Sequence, residues 1–189
     1  MHARARPLPV RAHPLVLGTV LFLSSELMFF AALFAAYFDL RAGAAVWPPP
    51  GVRLDLPESA FGTLLLLVAS LVAVAASRAL ERDRVAVARR WLLCAVVAAV
   101  SFVVLSLHGY SRETFTMASH AYGSIYYTLT GFHLLHVIAG VGILVAMIAG
   151  LRSPALRANR LAGAEAMTYY WHFVFVVWLG VWSAVYLIR

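Results

Sequence analysis

Five long apolar runs, separated by short polar segments, dominate the pattern of residues along this chain of 189 residues. A hydrocarbon layer about 30 Å thick needs about 20 helical residues to cross it. The run at 64–68 is apolar at every position, whereas strands of a membrane barrel alternate apolar and polar residues. The pattern therefore predicts an all-α membrane helix bundle with five transmembrane helices, at about 15–38, 60–77, 91–107, 122–150 and 169–188.

The composition supports a membrane protein and gives no sign of a second domain. With 63% hydrophobic and 12% charged residues, the chain has more apolar surface than one soluble core could bury. The first run could be the core of a secretory signal, but it is longer than the usual core of about 7–15 residues. We therefore treat 1–189 as a single membrane domain and the first run as its first span.

The distribution of arginine predicts the orientation, since the chain contains no lysine. Most arginines lie in the N-terminal tail and in the second and fourth loops, which lie on the same side because successive spans cross the membrane in alternate directions. The positive-inside rule predicts that this side is cytoplasmic, so the N-terminus is cytoplasmic and the C-terminus is outside. The net charge of +7 is spread over short loops beside spans, which indicates contact with membrane lipid and no nucleic acid. The arginines on the predicted cytoplasmic side are Arg4, Arg6, Arg11, Arg78, Arg82, Arg84, Arg89, Arg90, Arg152, Arg157 and Arg160, and those on the other side are Arg41, Arg53, Arg112 and Arg189.

The first run contains one charged side chain, Glu26. A charged group near the bilayer centre costs at least about 2.5 kcal/mol and needs a partner, a proton or a wet cleft. The fourth run carries His133 and His136, whose spacing of three places them on one helical face, at a depth that allows contact with Glu26. The interpretation that we favour is a hydrogen-bonded polar cluster, either structural or coupled to proton movement.

Two kinds of cofactor site are alternatives to this polar cluster. One alternative is a transition-metal site, but such a site usually takes three or four well-aimed ligands. The other is a haem site, but two histidines on one helix cannot bind opposite faces of one haem.

The last run opens with Tyr169, Tyr170 and Trp171, which are typical of a membrane interface. We therefore expect His172 about one turn inside the cytoplasmic boundary, as an interfacial side chain or a third histidine of the cluster.

Small residues recur every four positions near the end of the fourth run. Small side chains let helix backbones approach closely in lipid. This stripe predicts a helix-packing contact on the fourth span at Gly142, Ala146 and Gly150.

Four motifs in order along the chain resemble subunit III of the haem-copper cytochrome c oxidases, particularly the short five-helix bacterial form. The resemblance covers nearly the whole chain, and the loop with Trp47, Pro48 and Pro49 is similar to that of bacterial members. The four motifs are SSELMFFA at 24–31, AYGS at 121–124, GFHLLHV at 131–137 and YWHFV at 170–174.

The resemblance implies an accessory subunit in the bacterial plasma membrane, without a catalytic residue, metal or redox centre of its own. It implies packing against the catalytic subunit I and other oxidase subunits, with haem and copper in those partners. It also implies bound phospholipid and support of proton uptake. Glu26 matches the family's intramembrane glutamate, and His133, His136 and His172 match its motif histidines.

The chain departs from the family pattern in ways that leave other functions open. Phe175 stands where members usually carry aspartate, the 106–113 segment lacks their glutamine, and two N-terminal helices of longer members are missing. A similar subunit accompanies bacterial nitric oxide reductases, which makes such a companion the main alternative. A b-type haem protein or a transporter is an alternative of another class, although no paired repeat typical of many transporters is evident.

Overall fold

The computed structural model describes residues 13–153 and 158–188, most of which lie in helices. Five helices in these ranges are long and apolar enough to cross a membrane, which confirms the predicted all-α bundle. The orientation stays a prediction, and the N-terminal arginines, Arg157 and Arg189 fall outside the described residues. The helices are α1 (Pro14–Ala42), α2 (Leu56–Glu81), α3 (Val85–Arg112), α4 (Ala121–Gly150) and α5 (Arg160–Trp182), and a π-helical turn (Ser183–Leu187) extends α5.

The helices extend past the ends of the predicted apolar runs into segments that contain charged residues. Helix α2 continues to Glu81 and α3 begins at Val85, so these two helices are joined by the turn at 82–84. Asp83 adopts a left-handed backbone conformation with φ of 55°, which aspartate tolerates better than most residues. The length of an apolar run reflects the thickness of the hydrocarbon layer, whereas a helix can continue into the headgroup region.

Helix α5 begins well before the predicted last span. The helix begins at Arg160, well before the apolar run at 169–188, because Gly163 and Glu165 interrupt the apolar pattern without breaking the helix. Ala164 and Met167 in this first part are buried against the bundle. The first two turns of α5 therefore belong to the packed bundle, although they precede the predicted apolar run.

Helices α2 and α3 form a hairpin whose facing surfaces are rich in alanine. Alanine leaves little side-chain bulk between two backbones, so it allows the close packing on which helix association in lipid depends. The buried alanines are Ala69, Ala73, Ala76 and Ala79 on α2 and Ala88, Ala95, Ala98 and Ala99 on α3.

Helix α1 is attached to the bundle along a narrow seam. Its buried residues recur every seven positions, a spacing that keeps one line of side chains facing its neighbours. The main contacts of α1 are with α4 and α5. Glu26 lies near this seam, which is formed by Val16, Leu23, Phe30 and Tyr37.

Helix α5 packs against α1, α2 and α4. Its Trp171 is fully buried, and a Cβ atom added to Gly140 of α4 would lie 2.9 Å from the Trp171 ring. Gly140, and not the predicted stripe, therefore marks the close approach of α4 and α5. Gly142 and Ala146 are exposed, and a Cβ at Gly142 would meet no described atom within 4 Å.

Candidate functional site

A carboxyl and an imidazole meet inside the bundle, where α1 passes α4. The Oε2 atom of Glu26 lies 3.0 Å from Nε2 of His136, and their side chains are 22% and 14% exposed. Phe30 packs edge-on against the His136 ring, and Tyr170 of α5 donates a hydrogen bond to the His136 carbonyl. The sequence allows a contact between Glu26 and His136, and the structure contains it.

The hydrogen bonds of His136 define how many protons the pair holds. Nδ1 lies 2.8 Å from the carbonyl oxygen of Phe132, and a carbonyl can only accept, so Nδ1 carries a hydrogen. The contact between Nε2 and Glu26 then contains one further proton. It is held either by the carboxyl group or by the imidazole, and the pair has no net charge in either case.

His133 lies on the same helix but contacts other helices. Its Nε2 atom donates to the carbonyl oxygen of Val174 at 3.0 Å, and its ring packs between Phe102 of α3 and Trp178 of α5. The side chain is 1% exposed, and Nδ1 has no hydrogen-bond partner among the described residues. The expectation that both histidines of α4 point the same way is therefore not met.

His172 is separate from the other histidines. Its side chain is exposed, and Nδ1 donates to the carbonyl oxygen of Thr168 at 2.8 Å. Because α5 begins at Arg160, His172 lies about 18 Å along the helix from its first residue. The structure brings Glu26 and His136 together, buries His133 nearby, and places His172 on the outside.

An apolar cleft opens between the start of α1, the end of α4 and the start of α5. Its volume is about 470 Å³, and Ala146 and Gly150 of the small-residue stripe form part of its wall. Arg160 also lines the cleft, and it donates a hydrogen bond of 2.7 Å to Asp83 in the turn between α2 and α3. Tyr170, which contacts the His136 backbone, lines the same cleft.

A second, more polar cavity of about 300 Å³ opens at the opposite end of the bundle. Glu58 and Glu113 line it, and Arg112 lies 3.6 Å from the Glu58 carboxylate. Burial, followed by the nearby charge of Glu58, raises the pKa of Glu113 to about 7. Tyr110 reaches into this region and donates to the Thr130 hydroxyl at 2.8 Å.

Comparison with known proteins gives a consistent assignment over almost the whole chain. The family model for cytochrome c oxidase subunit III matches residues 8–188. The chain belongs to this family. A relative from Mycobacterium bovis, named probable cytochrome c oxidase subunit 3, is 36% identical over 184 residues, covering 95% of this chain and 90% of its own length.

Two further relatives of the cytochrome c oxidase subunit III family come from other bacterial genera. The subunit from Corynebacterium diphtheriae is 35% identical over 185 residues, covering 95% of this chain and 90% of its own length. The subunit from Thermostichus vulcanus is 31% identical over 174 residues, covering 92% and 87%. The resemblance that the four motifs indicate is confirmed.

Sequence reasoning about this cytochrome c oxidase subunit III family member missed both cavities. The sequence pattern places Arg160 in a loop and Tyr170 at a membrane interface, and neither position indicates a cleft between helices. Glu58 and Glu113 are far apart in the sequence and are brought together only by the packing of α2 against α3. Glu58 and Glu113 lie near the ends of two predicted spans, which does not indicate that they share a cavity.

Proposed function

We propose that this chain is the accessory subunit III of a bacterial haem-copper cytochrome c oxidase and carries no redox centre of its own. Its tasks are to stabilise the catalytic subunit I, to bind phospholipid and to support proton uptake. Haem and copper belong to partner subunits, and the chain lies in the plasma membrane with its N-terminus in the cytoplasm. The observation that carries the proposal is the family match over residues 8–188.

The hydrogen bonds of the histidines favour a proton-related or structural role over metal binding. Both ring nitrogens of His136 already have partners, Phe132 and Glu26. His133 uses Nε2 to bind the Val174 carbonyl. Within 13–153 and 158–188, no group of three or more His, Cys, Asp or Glu side chains is arranged to hold a metal ion.

The Glu26–His136 pair supports a role in proton uptake. One proton lies between two atoms 3.0 Å apart, and its transfer between them changes neither the net charge nor the packing. The predicted spans place the pair near the membrane midplane, where an uncompensated charge would be costly. Tyr170 lines the cleft and donates to the backbone carbonyl of His136, so the cleft comes close to the pair.

The cleft supports the binding of one phospholipid. Its walls carry Leu15, Phe22, Ile143 and Met147, which suit an acyl chain. Arg160 lies at the end of the cleft near the turn that joins α2 and α3, where its guanidinium could bind a phosphate group. This end is the cytoplasmic one in the orientation that arginine predicts.

Isolation of the intact complex tests the proposal. The chain is tagged, purified from its native membrane in mild detergent, and its partners are identified by mass spectrometry and absorption spectroscopy. We expect a haem-copper oxidase subunit to co-purify and the chain alone to show no Soret band. Recovery with nitric oxide reductase subunits, or haem bound to the isolated chain, would contradict the proposal.

A further inference from the structure

Helix α5 presents a stripe of exposed residues on the outside of the bundle, and the first three of them are polar. Glu165, Tyr169 and His172 are exposed along one face, and Val176 and Leu179 continue the same face. We call these five residues the α5 outer stripe. The Tyr169 hydroxyl donates to the Glu165 carboxylate at 3.0 Å, so the stripe holds one internal polar contact.

The depth of His172 makes its exposure unusual. His172 lies about 18 Å from the start of α5, and Glu26 lies at a similar distance from the start of α1, at the same end of the bundle. Both side chains therefore lie at a similar level of the bundle, which the predicted span of α1 places near the middle of the membrane. Hydrocarbon offers no hydrogen bond there, and ionisable residues at this depth almost always face protein or water.

The hydrogen bond within α5 leaves His172 with one open acceptor. Nδ1 donates to the carbonyl oxygen of Thr168, so a neutral imidazole keeps its lone pair on Nε2. No other residue in the described part of the chain accepts from or donates to Nε2 of His172. The group that satisfies this atom therefore lies outside the described residues, and it must be a hydrogen-bond donor.

The neighbours of α5 leave room for a helix at this face. On one side Phe173 packs against Phe30 of α1, and on the other Trp178 donates to Thr63 of α2. The α5 outer stripe lies between the side of α5 that contacts α1 and the side that contacts α2. Helix α1 rests on the bundle by a narrow seam, so it does not extend across the stripe.

We propose that the α5 outer stripe is a subunit interface, covered by a transmembrane helix of another oxidase subunit that places a hydrogen-bond donor opposite Nε2 of His172. A hydroxyl, an amide, an indole or a protonated carboxyl group supplies the donor. The inference rests on the proposed function, because that function provides a complex of several membrane subunits. It adds which surface of this chain faces a partner and what chemistry the partner brings.

Photo-cross-linking in the assembled complex tests the interface. A benzoylphenylalanine is introduced in place of Val176, which is 61% exposed on the stripe, and in a control in place of Val97 of α3, which is 66% exposed. We expect the Val176 probe to form a protein adduct with one oxidase subunit well above the Val97 level. A lipid adduct alone, or protein adducts no more frequent than from Val97, overturns the proposal.

Substitution of His172 tests the hydrogen bond itself. His172→Leu removes the acceptor, whereas His172→Gln keeps an acceptor near the position of Nε2. At equal amounts of chain in the membrane, we expect His172→Leu to retain about threefold less partner subunit after detergent extraction, and His172→Gln to retain nearly the wild-type amount. Equal retention by His172→Leu and wild type overturns the donor assignment, whereas the absence of oxidase subunits from the wild-type preparation would instead reject the proposed function.

Discussion

Glu26 and His136 depend on each other as hydrogen-bond partners, and this dependence determines what each contributes to the stability of the chain. Each side chain satisfies a group that would otherwise lie unpaired among apolar helices. Removing one partner leaves the other without its hydrogen bond, while removing both leaves only apolar contacts. The pair is therefore expected to matter less for stability than either single substitution suggests.

A double-mutant cycle measures this coupling. We expect Glu26→Leu and His136→Leu each to lower the free energy of unfolding by about 1–3 kcal/mol, because each leaves one polar group unsatisfied. The double variant should lose less than the sum of the two single losses. Unfolding of the purified chain in detergent gives the three values, and additive losses would show that the two side chains do not interact.

At the level of the helix, α4 offers two glycines with opposite surroundings. Gly140 lies against the fully buried Trp171 and against Tyr170, whereas Gly142 lies next to open space. The same added methyl group therefore meets a packed aromatic wall at one position and nothing at the other. This difference identifies where α4 and α5 need a small residue.

Matched alanine substitutions test the packing of α4 against α5. We expect Gly140→Ala to destabilise the chain by about 1–3 kcal/mol, because its Cβ would lie 2.9 Å from the Trp171 ring. Gly142→Ala should change stability by less than about 0.5 kcal/mol. Thermal unfolding of both variants in the same detergent provides the comparison, and equal unfolding temperatures would contradict the close contact at Gly140.

The sequence predicts the number and order of the helices because each apolar run must match the thickness of the hydrocarbon layer. It also identifies Glu26 and His136 as candidates, since polar groups are rare within such runs. It does not determine how each helix is rotated about its axis. The burial of His133, the exposure of His172 and the position of Gly142 all depend on that rotation, which is set by packing between helices.

For the whole molecule, the polar cavity at the end opposite the cleft makes stability depend on pH. The pKa of Glu113 is about 7 in the folded protein and 4.5 as a reference for the unfolded chain, so the folded state binds the proton more tightly. The stabilising contribution of protonated Glu113 is complete below pH 4.5 and is lost as the pH rises through 7. Glu58, which faces Glu113 in the same cavity, adds to this effect by repulsion.

Replacing Glu113 by glutamine should weaken this pH dependence. We expect the unfolding temperature of Glu113→Gln to fall less than that of wild type between pH 5 and pH 8, by at most about 2–4 °C because solvent screens this half-buried group. Glu81→Gln, at an exposed position, controls for the loss of one negative charge. Parallel pH profiles for Glu113→Gln and wild type would contradict the raised pKa.

The attachment of α1 to α4 and α5 has a consequence for how the chain is made. The ribosome delivers α1 to the membrane before α4, since His136 is synthesised 110 residues after Glu26. Until α4 has been inserted, the nascent first helix must hold its glutamate in lipid without its imidazole. During insertion, therefore, either the Glu26 carboxylate is protonated or the insertion machinery temporarily keeps this side chain out of the lipid.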